Sequence, residues 1–212
     1  MKKINLVLLS LLMGISTITY GQKKKAEDIL KSVTDKTTSY KAVKIDFSLL
    51  MTNEEADIND EKTGTLFLSG NKFRLEVPGQ IVISNGKTTW TYLEDDEEVM
   101  INDVDNDEKS ITPNKLLTSY NDNYKVKLNK SAEAGINTKV VDLLPKEDEN
   151  FKKIEIYINT KLNQIEKFII YDNNNSEYTY NIDKFIPNPK VTPSTFEFSE
   201  KEFPDADIND MR

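Results

Sequence analysis

The chain has 212 residues, no cysteine and no histidine, and its 28 Lys and Arg stand against 36 Asp and Glu, for a formal net charge of −8. Without thiolate or imidazole groups the chain cannot form a disulfide scaffold, a Ser-His-Asp triad, or a zinc, copper or haem site of the usual kind. The acidic balance argues against nucleic acid or an anionic membrane surface as a partner, because affinity for either comes from neutralising phosphates.

The first residues have the pattern of a secretory signal peptide. Two lysines are followed by a mostly apolar stretch, Ile4 to Ile18, and by small residues at Thr19 and Gly21. This stretch is shorter than the ~20 apolar residues that a membrane-spanning helix needs. We therefore expect a cleaved leader, residues 1–21, and a single exported domain, residues 22–212, whose length suits one domain.

The mature chain opens with a predicted helix, Lys24 to Ser39, because apolar residues recur there at helical spacing. These residues are Ala26, Ile29, Leu30, Val33 and Thr37. From Val43 to Met51 the apolar period changes to two, which is typical of a long, half-buried strand. The stretch from Glu54 to Asp60 is polar and predicts a loop.

Ten further short segments have strand character and are separated by turn residues such as Pro78-Gly79 and Asn85-Gly86. The segments are Thr63–Leu68, Lys72–Val77, Gln80–Ser84, Thr88–Leu93, Glu97–Ile101, Tyr124–Leu128, Thr138–Leu144, Lys153–Asn159, Gln164–Tyr171 and Glu177–Phe185. Thr112-Pro113 predicts the start of a second, short helix that reaches about Tyr120. In the proline-rich tail, Thr195 to Phe198 is a candidate for one more short strand.

The number of strands predicts an internal space. Ten or eleven strands at ~4.8 Å spacing make a sheet about 50 Å wide, whereas two helices of ~10 Å diameter cover about 20 Å of it. Such a sheet must curl, and a barrel of more than eight strands is wider than its side chains fill. The residues predicted to line the space are Val43, Ile45, Phe47, Leu49, Phe73, Leu75, Val77, Ile81, Ile83, Trp90 and Tyr92. Alternation does not show whether the inside is full, so a packed core and a carrier of an apolar ligand both stay open.

Several short motifs follow one another in a set order along the mature chain. They are Ala26-Glu27-Asp28-Ile29-Leu30, the strand around Asp46-Phe47, Gly64-Thr65-Leu66-Phe67-Leu68, Asn71-Lys72-Phe73-Arg74, the segment from Ile83 to Tyr92 with its Asn85-Gly86 turn and Trp90-Thr91-Tyr92 end, Thr112-Pro113, Phe196-Glu197-Phe198 and Phe203-Pro204 with a terminal Arg212. In this order they resemble the LolA family of periplasmic outer-membrane lipoprotein carriers, over essentially the whole mature chain.

The resemblance implies a mainly β fold: an incomplete antiparallel β-barrel of about 10–11 strands, closed by short helices that form a lid over a hydrophobic cavity. It implies a periplasmic, non-enzymatic carrier without cofactor that takes acylated lipoproteins from an inner-membrane ABC transporter to an outer-membrane acceptor. We also expect a monomer. The residues predicted to form the lid are Ile29, Leu30 and Val33 on the first helix and Leu116, Leu117 and Tyr120 on the second.

One departure from the family pattern concerns the lid. Family members of the proteobacterial type have an arginine at the turn before the third strand, where it bonds the lid, but this turn reads Ser69-Gly70-Asn71-Lys72. Arg74 lies nearby, yet alternation places it on the face opposite Phe73 and Leu75. We therefore do not assign the lid role to Arg74.

A few motifs in the sequence are also found in proteins with other functions. Asp103 to Asp107 begins like a calcium loop, but Glu108 and Asn114 stand where such a loop has Gly and Glu, which favours a solvated acidic loop. Carboxylate pairs such as Glu54-Glu55 and Asp95-Asp96, which are the groups that a glycosidase uses, lie in predicted turns, where loop charge usually serves solvation. A carbohydrate-binding module that stacks Trp90 and Tyr92 on a sugar, and a lipoprotein-binding envelope sensor of the same fold, remain as alternatives.

Overall fold

The computed structural model of the protein describes residues 23–104, 123–147 and 149–212. In these ranges one α-helix, α1 (23–38), is followed by twelve strands, and the 3-10 helix Pro193–Phe196 lies between the last two. The strands are β1 Val43–Asn53, β2 Ile58–Ser69, β3 Lys72–Val77, β4 Gln80–Ser84, β5 Thr88–Leu93, β6 Glu98–Asp103, β7 Tyr124–Asn129, β8 Thr138–Pro145, β9 Phe151–Asn159, β10 Gln164–Asp172, β11 Glu177–Pro187 and β12 Asp207–Asp210. The eleven predicted strands correspond in order to β1–β11, and β12 was not predicted.

All twelve strands belong to one sheet, in the spatial order β12-β6-β5-β4-β3-β2-β1-β11-β10-β9-β8-β7. Neighbouring strands are antiparallel, except that β12 pairs parallel with β6. Because β12 and β7 lie at the two edges, the sheet of the described strands is open, and the predicted fold class of an incomplete antiparallel barrel is confirmed. Within the described ranges, no helix has the length and apolar character needed to cross a membrane.

The tight turns follow from local sequence. Gly79 and Gly86 have φ of 83° and 87°, which lie in the left-handed region that glycine tolerates best. The Asn85 side chain accepts hydrogen bonds from the backbone N–H groups of Lys87 and Thr88 at 3.0 and 2.9 Å, closing the β4–β5 turn. The polar loop predicted after β1 is shorter than expected, because Asp57 (φ 52°) closes the turn and β2 begins at Ile58.

Two hydrophobic clusters form the core on one face of the sheet. Ala26, Leu30 and Val33 of α1 pack against β7–β10 in the larger cluster, and the smaller cluster is formed by β1, β2 and β3. Ile182 of β11 packs against both clusters. We call the face covered by α1 the inner face and the opposite one the outer face.

The C-terminal segment, residues 188–212, crosses the outer face of β3–β6. Its start is a 3-10 helix and not the short strand predicted at Thr195 to Phe198, so that prediction is wrong. Pro193 occupies the first helical turn, and the backbone N–H of Thr192 donates to Thr195 Oγ1 at 3.2 Å, a capping arrangement that favours a helical start. β12 then adds to the edge of β6.

Candidate functional site

A cavity of about 340 Å³ lies on the inner face, where the two hydrophobic clusters adjoin. Its wall consists of Thr37, Ile45, Phe47, Leu49, Leu66, Leu75, Val77, Gln80, Gln164, Ile165, Phe168, Ile170, Tyr180, Ile182 and Phe185. The wall spans six adjacent strands, from β4 through β3, β2, β1 and β11 to β10, with Thr37 contributed by the end of α1. No charged side chain occurs among these described residues.

Three aromatic rings form a contiguous group in this wall. Phe168 and Tyr180 are nearly parallel, with ring centroids 4.4 Å apart, and Phe47 lies 5.9 Å from Tyr180. Burial raises the pKa of the Tyr180 hydroxyl, so this group stays neutral at physiological pH. The rings therefore give the wall a broad, uncharged apolar surface.

Five of the eleven predicted cavity residues lie in the observed wall. These are Ile45, Phe47, Leu49, Leu75 and Val77. Val43 and Phe73 share the inner face but are packed in the smaller hydrophobic cluster and do not line the cavity. The alternation of β1 and β3 thus indicates the correct face in both strands.

The other four, Ile81, Ile83, Trp90 and Tyr92, lie on the outer face, and their predicted placement is wrong. Leu75 pairs with Val82, not with either isoleucine, and directly paired residues share a face. The two aromatic residues pair in turn with the two isoleucines. Residues 81–83 are all apolar, so alternation in β4 does not define a face, and only the pairing with β3 does.

On the outer face, these aromatic residues meet the C-terminal segment. Trp90 stacks on Phe198 with centroids 6.4 Å apart, and Tyr92 packs against Phe203 at 4.5 Å. The rings of Phe198 and Phe203 stack on each other at 5.7 Å. Because their partners are supplied by the chain itself, Trp90 and Tyr92 do not form the open platform that sugar stacking requires.

The predicted lid residues have two different outcomes. On α1, Leu30 and Val33 are almost fully buried against β7–β10, with Ile29 packed beside them, so α1 belongs to the core of that half. The residue of α1 that lines the cavity is Thr37. Leu116, Leu117 and Tyr120 lie outside the described residues, as do the leader and most of the calcium-like stretch.

Arg74 points to the outer face, in agreement with the sequence prediction. Its Nε donates to Glu76 Oε1 at 2.6 Å, and its terminal nitrogens bond both carboxylate oxygens of Glu202 in the C-terminal segment. The side chain is buried, and although burial by itself lowers the pKa of the guanidinium, the hydrogen bonds to Glu202 and Glu76 together raise it. Arg74 thus fastens the C-terminal segment to the sheet and makes no contact with α1 that the structure records.

The sequence prediction missed the contribution of β10 and β11 to the cavity. The residues of these two strands that were not named are Gln164, Ile165, Phe168, Ile170, Tyr180, Ile182 and Phe185. The sequence does contain a signal for this contribution. Both strands were predicted, and the spacing of Phe168 and Ile170 places these two residues on the same face of β10. In β11 the spacing changes between Ile182 and Phe185, where a bulge opposite Asp46 and Phe47 shifts the register.

The family model for the outer membrane lipoprotein carrier protein LolA matches residues 38–199. Among solved structures, an uncharacterized conserved protein from Thermus thermophilus is similar, with a TM-score of 0.60 and 13% identity over 88% of this chain and 99% of that one. A putative outer membrane lipoprotein-sorting protein domain from Vibrio parahaemolyticus has a TM-score of 0.50 and 9% identity, over 85% and 99%. At these identities the likeness shows the fold alone. No curated protein sequence matches the chain.

Proposed function

Because the chain belongs to the LolA family, we propose that it is a periplasmic carrier that holds the acyl chains of lipoproteins in the inner-face cavity. In this role it takes lipoproteins released by an inner-membrane ABC transporter and passes them to an acceptor at the outer membrane. The carrier works by shielding the acyl chains from water, without a chemical reaction and without a cofactor.

The observation that supports this proposal is the uncharged, largely apolar wall of the cavity. Its volume of about 340 Å³ lies at the lower end of the ~300–1,000 Å³ range of small-molecule sites. The inner-face residues of β1, β3, β10 and β11 leave this space between two packed clusters instead of filling it. An unfilled apolar space in a folded core favours an apolar occupant over water.

The energetics make release the demanding step. Transfer of each methylene from water contributes about 0.8 kcal/mol, so one 16-carbon chain gains on the order of 10 kcal/mol before the costs of ordering it. Binding of that strength is slow to reverse without help. The acceptor at the outer membrane must therefore bind the cargo more strongly or open the cavity.

Two adjacent leucines of β1 provide a matched test. Leu49 and Leu50 are both half-buried, but Leu49 lines the cavity whereas Leu50 lies on the outer face. We expect Leu49→Glu to weaken binding of a fluorescent acyl probe at least tenfold, because the carboxylate stands where the chain lies and is costly to bury. Leu50→Glu keeps the wild-type affinity. Binding would be measured by fluorescence titration, with melting temperatures recorded for both variants.

The melting temperatures separate loss of binding from loss of folding. Leu49→Glu adds its charge beside a space that is already open. We therefore expect its free energy of unfolding to lie within ~1 kcal/mol of that of Leu50→Glu, or above it. Equal probe affinity in the two variants, or no probe binding to the wild type, would contradict the carrier proposal.

A further inference from the structure

The polar groups in the cavity wall are all neutral. Thr37, Gln80, Gln164 and Tyr180 are the hydrogen-bonding side chains there, and no hydrogen bond from these side chains is recorded within the described part of the chain. The two glutamines lie on opposite sides, since β4 and β10 are the outermost strands of the wall. Each carries an amide that can donate and accept.

Gln80 differs from Gln164 in what lies beyond it. Together with Phe47 and Val77 it also borders a second, larger groove of about 760 Å³ that reaches the outer face. These three residues are therefore the partition between the apolar cavity and the groove. If the chain of an amphiphile fills the cavity with its polar end at Gln80, that end lies beside the groove.

The groove has a strong excess of negative charge. It is bordered by Asp46, Glu76, Glu94, Asp183 and Glu202, with Arg74 as its single cation among the residues named there. Arg74 is committed to ion pairs with Glu76 and Glu202, and Lys44 Nζ lies 3.1 Å from Asp46. Glu94 and Asp183 have no ion-pair partner among the described residues. Lys184, opposite Asp46 in the pairing of β1 with β11, is a second cation that acts on that carboxylate beside Lys44. The unbalanced negative charge near Gln80 therefore comes mainly from Glu94 and Asp183.

We propose that the cavity selects acyl chains by the charge of their polar end, with Gln80 as the contact for a neutral ester or amide and the groove carboxylates excluding anionic ends such as a free fatty acid. This selectivity rests on the proposed function, because it requires that acyl chains occupy the cavity. An acyl chain that is bound through an ester or an amide therefore enters the cavity, whereas free fatty acids of the envelope do not compete with it for this site.

The physical reason is that charged and neutral polar ends differ in their electrostatic energy beside the groove and in the cost of losing their hydration. A carboxylate at Gln80 loses part of its hydration, and at low ionic strength it is repelled by the groove carboxylates. A neutral ester loses little and gains a hydrogen bond from the amide. A quaternary ammonium is attracted by the same carboxylates, so the sign of the charge, and not charge alone, decides the outcome.

Three amphiphiles with the same 12-carbon chain test this selectivity: laurate, 1-monolauroylglycerol and dodecyltrimethylammonium. Isothermal titration calorimetry at about pH 8 and roughly 20 mM salt would give their dissociation constants below micelle formation. We expect laurate to bind at least tenfold more weakly than the glycerol ester, and the ammonium to bind no more weakly than the ester. In about 0.5 M salt, where the screening length is about 4 Å, the ratio of the dissociation constants of laurate and the ester decreases severalfold.

Two lysine substitutions locate the effect. Gln80→Lys places a cation at the partition and closes or reverses the difference in affinity between laurate and the ester. Leu162→Lys, at an exposed position in the turn before β10 and outside the cavity wall, is the control and leaves this difference at its wild-type value. Glu94→Gln, at an exposed position on the groove, reduces this difference because laurate binds more tightly.

The outcomes separate the two proposals. Equal affinity for laurate and the ester, equal effects of the two lysine substitutions, or rejection of the ammonium as strong as that of laurate each overturn the charge selectivity and leave the carrier role standing. If none of the three amphiphiles binds to the wild-type protein, the carrier role fails, and the selectivity fails with it.

Discussion

Gly64 makes room for the Phe47 ring in the cavity wall. A Cβ built at this position lies 2.5 Å from Phe47 Cζ and 2.8 Å from both the Glu76 carbonyl oxygen and Val77 Cγ1. The backbone oxygen cannot move aside as a side-chain end can. The absence of a side chain at residue 64 therefore fixes where the Phe47 ring lies between the cavity and the groove.

Gly64→Ala is expected to lower the free energy of unfolding by about 1 to 3 kcal/mol, the usual cost of overfilling a packed site. Because Phe47 must shift, affinity for an acyl probe falls as well. Urea unfolding would measure the change in the free energy of unfolding, and we expect the m value to equal that of the wild type. Gly135→Ala is the control, since its nearest contact is Thr138 Oγ1 at 3.4 Å, and its change stays within ~0.5 kcal/mol. Similar effects for the two variants would refute this account of Gly64.

Asp142 on the outer face predicts a pH-dependent change in stability. Burial raises the pKa of its carboxyl and the nearby Glu155 adds to this, while a hydrogen bond from Asn129 at 3.0 Å opposes them. An acid whose pKa is higher in the folded than in the unfolded state destabilises the fold where it is ionised, and that cost disappears as pH falls below both values.

Asp142→Asn should therefore raise the melting temperature at pH 7. The gain decreases as the pH falls through the acidic range in which wild-type Asp142 takes up its proton. The new amide keeps an oxygen to accept the bond from Asn129. Thermal unfolding from pH 7 to pH 3 measures the difference, and a gain that is constant over this range, or a loss at pH 7, would contradict the raised pKa.

At the scale of elements, the C-terminal segment acts as a second layer on the outer face. Phe198 and Phe203 cover the aromatic residues of β5, and Glu202 bonds Arg74 of β3. β12 pairs with β6, which removes β6 from the edge of the sheet and leaves a four-residue strand there instead. Short edge strands are less prone to pair with other molecules.

Glu202→Gln tests how strongly this layer is fastened. The substitution leaves the buried Arg74 with Glu76 as its one carboxylate partner of the described residues. Removing one partner of a fully buried ion pair costs ~3–5 kcal/mol, and because the Glu202 side chain is 40% exposed we expect about 1 to 2 kcal/mol. Glu200→Gln, exposed in the same segment, is the control and leaves the melting temperature unchanged. Equal melting temperatures for the two variants would show that the aromatic contacts and the pairing of β12 with β6 hold the segment without this ion pair.

At the scale of the whole molecule, the two halves of the sheet are packed unequally. The half formed by α1 and β7–β10 contains Ile154, Ile156 and Ile158 with no exposed surface. The other half of the sheet, which extends through β3 to β6, is packed by the smaller inner cluster and by the C-terminal segment. The cavity lies where these two halves adjoin, so its size depends on how they are held together.

Hydrogen exchange should reveal this difference. We expect the amides of β8 and β9 to exchange more slowly than those of β4 and β5, because local opening is easier where fewer apolar contacts must break. An acyl ligand at about 100 times its dissociation constant adds ~2.7 kcal/mol of stability, and its protection should be largest in β1, β10 and β11. Uniform exchange in both halves, or ligand protection confined to β7 and β8, would contradict this view of the molecule.

Much of the fold is determined by sequence patterns of short range. The period-two alternation of β1 and β3 identifies their inner faces, the spacing in α1 identifies Leu30 and Val33 as buried, and Gly79 and Gly86 mark the turns. These features need no knowledge of distant contacts, because a residue's face is set by the geometry of its own strand or helix. The order of motifs that resembles the LolA family was sufficient for the fold class.

Only the tertiary structure decided the rest. Whether Ile81 and Ile83 or Val82 lies on the inner face depends on pairing with β3, since all three are apolar. The contribution of Phe168 and Tyr180 depends on β11 lying beside β1, although these two strands are far apart in the sequence. Trp90 and Tyr92 are covered by a C-terminal segment whose 3-10 helix and parallel β12 arise from its own prolines and from the free edge of β6. These outcomes depend on contacts between segments that are distant in the sequence, and within the sheet a shift of one residue in register moves a side chain to the other face.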